Sequence, residues 1–169
     1  MRRAAAAVGT SIFFALAPGV VCGVIPYWLT GWQMQRPFER LEPLRIAGAT
    51  MLAFAAAVLV RAFARFVAEG RGTPAPVAPT EHLVVGGLYR HVRNPMYLAV
   101  VAAIVGQGVV LWQPPLFFYA VAVAVAVALF VRHYEEPTLR RQFGNEYEAY
   151  ARAVPRWIPR LRPWQKGEP

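Results

Sequence analysis

The chain has 169 residues, 57% of them hydrophobic and only 16% charged, with a mean hydropathy of +0.35. Average soluble domains are closer to a quarter charged, so this composition argues for a membrane protein. The long apolar tracts exclude intrinsic disorder. A single cysteine, Cys22, excludes a disulfide scaffold, and one cysteine with three scattered histidines gives no zinc site. The net charge of +9 comes from seventeen Arg and one Lys against nine Glu and no Asp. In a soluble protein a pI near 10.6 suggests nucleic acid. Here Arg in the loops and tail of a membrane protein is the better explanation, and no nucleic-acid partner is expected.

The expected fold class is all-α: a polytopic membrane protein with about four transmembrane helices and a cytoplasmic amphipathic C-terminal helix. Residues 1–169 form one membrane domain. Two N-terminal spans occupy 1–68, a loop 69–94, a helical hairpin 95–131 and a cofactor-covering tail 132–169. Within these, the apolar segments run from Val8 to Leu29, Leu44 to Ala68, Pro95 to Trp112 and Pro115 to Val131. A helix needs roughly 20 apolar residues to cross the hydrocarbon, so the last two just suffice. Gln113-Pro114-Pro115 is the turn between them.

The start Met1-Arg2-Arg3, with Ala15-Leu16-Ala17 as a cleavage-like site, resembles a signal peptide. The apolar run continues to Leu29, so an uncleaved first span is preferred. In that span Ala15, Gly19 and Gly23 share a stripe suited to helix packing, and Pro18 and Pro26 should bend it. Arg61 and Arg65, one turn apart near the end of the second span, are expected either to snorkel or to meet an anionic group. Gly106 and Gly108 suit packing or close approach of a ligand.

Four spans place both termini on one side. That side also carries the Arg-rich 69–94 loop and the tail, with seven Arg and Lys166 after Val131. The positive-inside rule makes it the cytoplasm, with the protein in a membrane that is expected to be a bacterial inner membrane. The linker 69–85 is too rich in Pro and Gly to be one helix. In the tail, Leu139, Phe143, Tyr147 and Tyr150 mark one face of an amphipathic helix from Thr138 to Ala153. That helix should lie at the interface or over the helix ends. Pro155, Pro159 and Pro163 end regular structure.

Two polar patches carry the candidate chemistry: Gly86-Gly87-Leu88-Tyr89-Arg90-His91-Val92-Arg93-Asn94-Pro95-Met96-Tyr97, and Arg132-His133-Tyr134-Glu135-Glu136-Pro137. One precedes the third span and the other follows the fourth, so the hairpin should bring them together. Taken singly, the residues have structural roles: Asn94 as N-cap with Pro95 at N1, and Tyr89, Tyr97 and Trp112 as interface anchors. Glu135 and Glu136 are harder to explain structurally. Adjacent acids at the end of the fourth span face the negative pole of a helix dipole and repel each other. They need Arg90, Arg93, Arg132 or a cationic ligand. S-adenosylmethionine fits chemically, with a sulfonium and an ammonium for carboxylates and a carboxylate for Arg. A nicotinamide phosphate would also suit the arginines.

These patches, followed by Leu139, Phe143-Gly144, Tyr147, Tyr150 and Val154-Pro155-Arg156, resemble the superfamily of isoprenylcysteine carboxyl methyltransferases and phospholipid N-methyltransferases. The resemblance covers about residues 83–160. It implies an integral-membrane enzyme that converts S-adenosyl-L-methionine to S-adenosyl-L-homocysteine while methylating a lipophilic substrate from the bilayer. It also implies that Gly87, Tyr89, Arg90, His91, Arg93, Asn94, Pro95, Tyr97, Glu135 and Glu136 hold the cofactor. Arg132, His133 and Glu136 are the catalytic candidates. Arg132 (or Arg61 or Arg65) would bind a carboxylate substrate, and His133, Glu135 or Glu136 would take a proton from an amine. Many isoprenylcysteine-type members carry His where this chain has Asn94. Asn-Pro-Met-Tyr and Glu-Glu-Pro are closer to the phospholipid type, and Gly106-x-Gly108 is similar to a Gly-x-Gly element there. The alternatives are an NADPH-dependent membrane reductase of related architecture and a non-enzymatic scaffold. The latter's acids and arginines would be structural ion pairs.

Overall fold

The computed structural model describes residues 17–35, 42–70 and 82–165. Five helices follow in chain order: α1 (Ala17–Thr30), α2 (Glu42–Gly70), α3 (Pro95–Leu111), α4 (Pro114–Phe143) and α5 (Asn145–Ala153). The described residues contain no strand. The possible cleavage site, and Ala15 of the small-residue stripe, lie outside these residues, as does most of the 69–85 linker.

α2, over Glu42–Arg65, and α4 are long and apolar enough to cross a membrane. Only 17% of the most apolar stretch of each is buried inside the protein. A core helix of a soluble protein would be mostly covered. Here Phe54, Val60, Phe118, Val121 and Leu129 are more than half exposed, an outward apolar face suited to lipid. α1 and α3 are apolar but shorter. With 17 residues, α3 is about 25 Å long. By length, two spans are therefore supported rather than the expected four.

α2 and α3 make the most extensive helix pair. Their crossing depends on two glycines: a Cβ on Gly48 would stand 2.7 Å from Val109 Cγ1, and one on Gly106 would stand 3.1 Å from the Gly48 carbonyl oxygen. Gly108 serves the α3–α4 contact, since a Cβ there would meet Leu116 and Phe117 at 3.2–3.3 Å. Gly106 and Gly108 are thus packing residues. Gly19 and Gly23 of the α1 stripe make no such contact among the described residues, since a Cβ at either would meet nothing within 4 Å.

Val100, Ile104, Leu116 and Ala120 form the central core, with Val21 and Cys22 of α1 and Leu59 of α2 packed on it. Residues Val20–Val24 make a π-helical turn between Pro18 and Pro26. Gln107 donates to the Cys22 carbonyl at 2.8 Å and Tyr119 to the Val21 carbonyl at 3.0 Å. Side chains of α3 and α4 thereby satisfy backbone oxygens of the irregular turn, as a buried polar group in an apolar layer requires. The α3–α4 turn forms one residue earlier than expected, at Trp112, left-handed at φ 55°, and Gln113, extended, with Pro114 and Pro115 opening α4 instead.

The fourth helix departs from the expectation. It does not stop at Val131 but runs to Phe143. A π-helical turn over Val131–Glu135 carries it past Pro137, with the Glu136 N–H bonded to the Val131 carbonyl. The wider turn accommodates a proline that would break a regular ladder. Glu135 and Glu136 therefore lie inside a helix, not at its negative pole. The single helix expected over Thr138–Ala153 is two. Gly144, at φ +50°, ends α4 and starts α5.

Candidate cofactor site at the cap

α5 folds back so that Tyr147, Tyr150, Val154 and Trp164 form a second core, packed against Leu83 and Val85, with Leu139 and Phe143 beside them. The apolar face expected at Leu139, Phe143, Tyr147 and Tyr150 thus covers the helix ends, one of its two expected positions. Tyr89 joins Val84 and Ala62 in a third cluster, with Met96 against it.

The segment before α3 is tied to the tail by paired bonds. Arg93 N–H donates to the Pro155 carbonyl at 3.0 Å. His91 accepts from the Arg160 N–H at 2.9 Å through its own carbonyl, and its Nδ1 lies 2.8 Å from the Arg160 carbonyl. The Arg90 carbonyl accepts from Trp164 N–H, and Arg90 Nε donates to the Trp164 carbonyl. Tyr150 donates to the Tyr89 carbonyl at 2.7 Å. Burial raises the Tyr150 phenol well above its ordinary value. Burial, followed by the charge of Glu136, raises Tyr147 too.

Glu136 is buried at the centre of this cap. Arg156 grips it through Nε and Nη2, each 2.6 Å from a carboxylate oxygen, and Arg93 Nη1 adds a contact at 2.9 Å. Arg93 Nη1 also donates to Tyr147 at 3.1 Å. Of the cations expected to compensate the acids, Arg93 does so. Arg90 bonds backbone instead, and Arg132 is exposed. The missed partner is Arg156. Its sequence signal was the Val154-Pro155-Arg156 string, read as part of a resemblance and not as a charge partner.

Glu135 has a different environment. Tyr97 donates to its Oε2 at 3.0 Å, and among the described residues this is the carboxylate's only side-chain partner. Asn94 is at the N-cap of α3 but makes no side-chain cap; it donates to the Arg156 carbonyl at 3.2 Å. Tyr89 is buried and donates to Met96 Sδ, and Tyr97 is held by Glu135, so neither is a plain interface anchor. Gly87, at φ +57°, takes a backbone that favours glycine, and the Arg65 side chain lies 3.5 Å from where its Cβ would be. Pro95 is buried at the start of α3. His133 and Arg132 are exposed on α4, and among the described residues neither makes a hydrogen bond or ion pair. The structure thus gathers Tyr89, Arg93, Asn94, Pro95, Tyr97, Glu135 and Glu136 at one end of the α3–α4 pair. Arg90 and His91 lie on its tail side. No group of three His, Cys or Glu among the described residues is placed to hold a metal.

Two features fit a charged organic cofactor. Among the described residues, Glu135 faces only a neutral side-chain partner, and Arg93 Nε is a buried donor without an acceptor. Comparison with known proteins points the same way. The phospholipid methyltransferase family matches residues 44–146. A phosphatidylethanolamine N-methyltransferase of Phaeosphaeria nodorum is 28% identical over 71 residues, covering 42% of this chain and 8% of that protein. Protein-S-isoprenylcysteine O-methyltransferase B of Arabidopsis thaliana is 38% identical over 80 residues, covering 46% of this chain and 39% of that protein. The chain therefore spans well under half the length of either relative. The match runs from near the start of α2 to the first residues of α5 and takes in both polar patches, and the chain belongs to the phospholipid methyltransferase family.

Proposed function

We propose that the chain is an integral-membrane methyltransferase that takes S-adenosyl-L-methionine at the cap. It would methylate a lipophilic acceptor from the bilayer, either a phospholipid amine or an isoprenylcysteine-type carboxylate. The observation that carries this reading is the asymmetry of the two adjacent acids. Glu136 is satisfied by two guanidiniums, whereas among the described residues Glu135 has only the Tyr97 hydroxyl as a side-chain partner. A half-buried carboxylate without a cation favours a cationic ligand. The arginine excess of the tail and the 69–94 loop supports a cytoplasmic cap, where the cofactor would be available.

Bound there, the cofactor supplies an electrophilic methyl group on a sulfonium centre. Glu135 would hold its positive charge, with Tyr97 orienting the carboxylate. Arg93 offers Nε to an acceptor oxygen. Glu136 then acts as a positioning residue, locking Arg93 and Arg156 in place. The α5 cover and the tail exclude water, which favours alignment of the reacting groups. With an amine acceptor, Glu135 or His133 takes the released proton. With a carboxylate acceptor, Arg132 orients it.

The test is calorimetric titration of the protein in lipid nanodiscs with S-adenosylmethionine and S-adenosylhomocysteine, with NADPH as control. Wild type should bind both methyl-cycle ligands, and Glu135→Gln should bind at least tenfold more weakly while keeping its melting temperature. Binding of NADPH alone would point to a reductase. Silence towards all three from folded protein would overturn the reading.

A further inference from the structure

The tail segment from Arg156 to Trp164 is anchored at both ends and turned outward between them. At one end Arg156 grips Glu136, and at the other Trp164 is buried in the cap and bonded to Arg90. Midway, Arg160 is turned inward, its Nη1 donating to the Ala153 carbonyl and its backbone paired with His91. Between these ties Ile158 is 78% and Leu161 97% exposed. Arg162 beside Leu161 is exposed as well. Two aliphatic tips held out by a pinned strap, with a cation next to them, are not explained by packing among the described residues.

The strap's height is fixed by what it is tied to. Its partners, residues 90–93, immediately precede Pro95, the first residue of α3. That helix belongs to the apolar bundle, so the strap lies at the level where the bundle meets the bilayer surface. Exposed Arg140, Arg141 and Arg152 add positive charge on the neighbouring α4 end and α5. Glu148 offsets one of them through its contact with Arg140.

We propose that the 156–164 strap is a membrane-surface anchor. Ile158 and Leu161 dip into the leaflet that borders the cap, and Arg162 and its neighbours engage anionic phospholipid headgroups. Apolar side chains at headgroup depth flanked by arginines are the general chemistry of interfacial attachment. The inference is independent of which cofactor the cap binds. Because Arg156 begins the strap and holds Glu136, surface attachment also steadies the ion-pair hub.

The experiment places a nitroxide label at Leu161→Cys in a Cys22→Ser background, in nanodiscs of phosphatidylcholine with and without phosphatidylglycerol. Glu146→Cys, on the exposed side of α5, is the water-exposed control. The ratio of collisions with oxygen to collisions with a water-soluble nickel chelate reports depth. The expected result is a ratio severalfold higher at position 161 than at 146, rising further with phosphatidylglycerol. Equal ratios at the two positions would overturn the anchor. A high ratio indifferent to anionic lipid would overturn the headgroup assignment. Spin–spin broadening between copies at position 161 would show that a second chain covers the tips instead. Because Leu161 is almost fully exposed, the label should leave folding intact, and an unchanged melting temperature checks this.

Discussion

Arg156 and Glu136, 20 residues apart, meet in a two-pronged ion pair with both contacts at 2.6 Å. The pair joins the last third of the long α4 helix to the tail, and Arg93 extends it to the segment before α3. Three chain segments thus converge on one buried carboxylate. Removing a cation leaves that charge undercompensated, which is costly where water cannot replace it.

Arg156→Ala should therefore destabilise the cap by ~1–3 kcal/mol, a range that allows for solvent screening on the more exposed Arg156 side. Arg156→Lys should recover only part of this, because an ammonium cannot reproduce the fork. Thermal unfolding in nanodiscs reads both. A melting temperature unchanged in Arg156→Ala would mean that Arg93 alone satisfies Glu136.

The Tyr97 hydroxyl orients Glu135, and Tyr97→Phe removes that bond with little change of shape. Cofactor affinity should fall about five- to tenfold, or ~1–1.4 kcal/mol. Calorimetry alongside the Glu135→Gln variant checks this. If binding were unchanged, Tyr97 would have no part in setting the carboxylate's position.

The helix crossing predicts opposite results for two glycines. Gly48→Ala forces a Cβ against Val109 and the Gly106 backbone and should cost ~1–3 kcal/mol despite the gain in helix propensity. Gly19→Ala meets open space on a helical backbone and should be neutral or stabilising by up to ~1 kcal/mol. Equal melting temperatures for the two would contradict a glycine-dependent α2–α3 contact.

Alkaline pH should loosen the cap. Tyr147 and Tyr150 have phenol pKa values raised above the ordinary 10.0. Their contribution is therefore complete below about pH 10 and is lost as pH rises beyond it, because the unfolded tail releases phenolic protons that the folded cap retains. Amide exchange in residues 145–154 should accelerate between about pH 10 and 11 by more than its intrinsic base-catalysed increase. Tyr150→Phe, lacking the bond to Tyr89, should lose ~1 kcal/mol and show a smaller excess. An excess as large as wild type's would assign the alkaline loosening to another group.

Much of the site was legible because its chemistry is local. Arg93-Asn94-Pro95 sits at a helix start and Glu135-Glu136 follows the apolar run of the next helix, and a hairpin must bring these together. The cap's apolar face was legible from the spacing of Leu139, Phe143, Tyr147 and Tyr150. The division of labour between the two acids was not. It depends on Arg156, whose partner is set by how the tail returns, and a pattern of residue types carries no such information. Asn94 shows the same limit: its position matched a cap, but its side chain was drawn to the tail.

The sequence alone determined an apolar helical protein, the positions of α2 and α3 to within about two residues, a turn near Gln113, and the two polar patches. These follow from hydrophobic run length and from proline and glycine chemistry, which act over a few residues. Only the tertiary structure decided that α4 continues through Pro137 by a π-helical turn and that Gly106 rather than Gly19 or Gly23 marks a close helix contact. It also decided that Glu136 is neutralised while Glu135 is left to a tyrosine. Each of these depends on which distant groups come within contact distance, and hydrogen bonds, ion pairs and steric exclusion act only there.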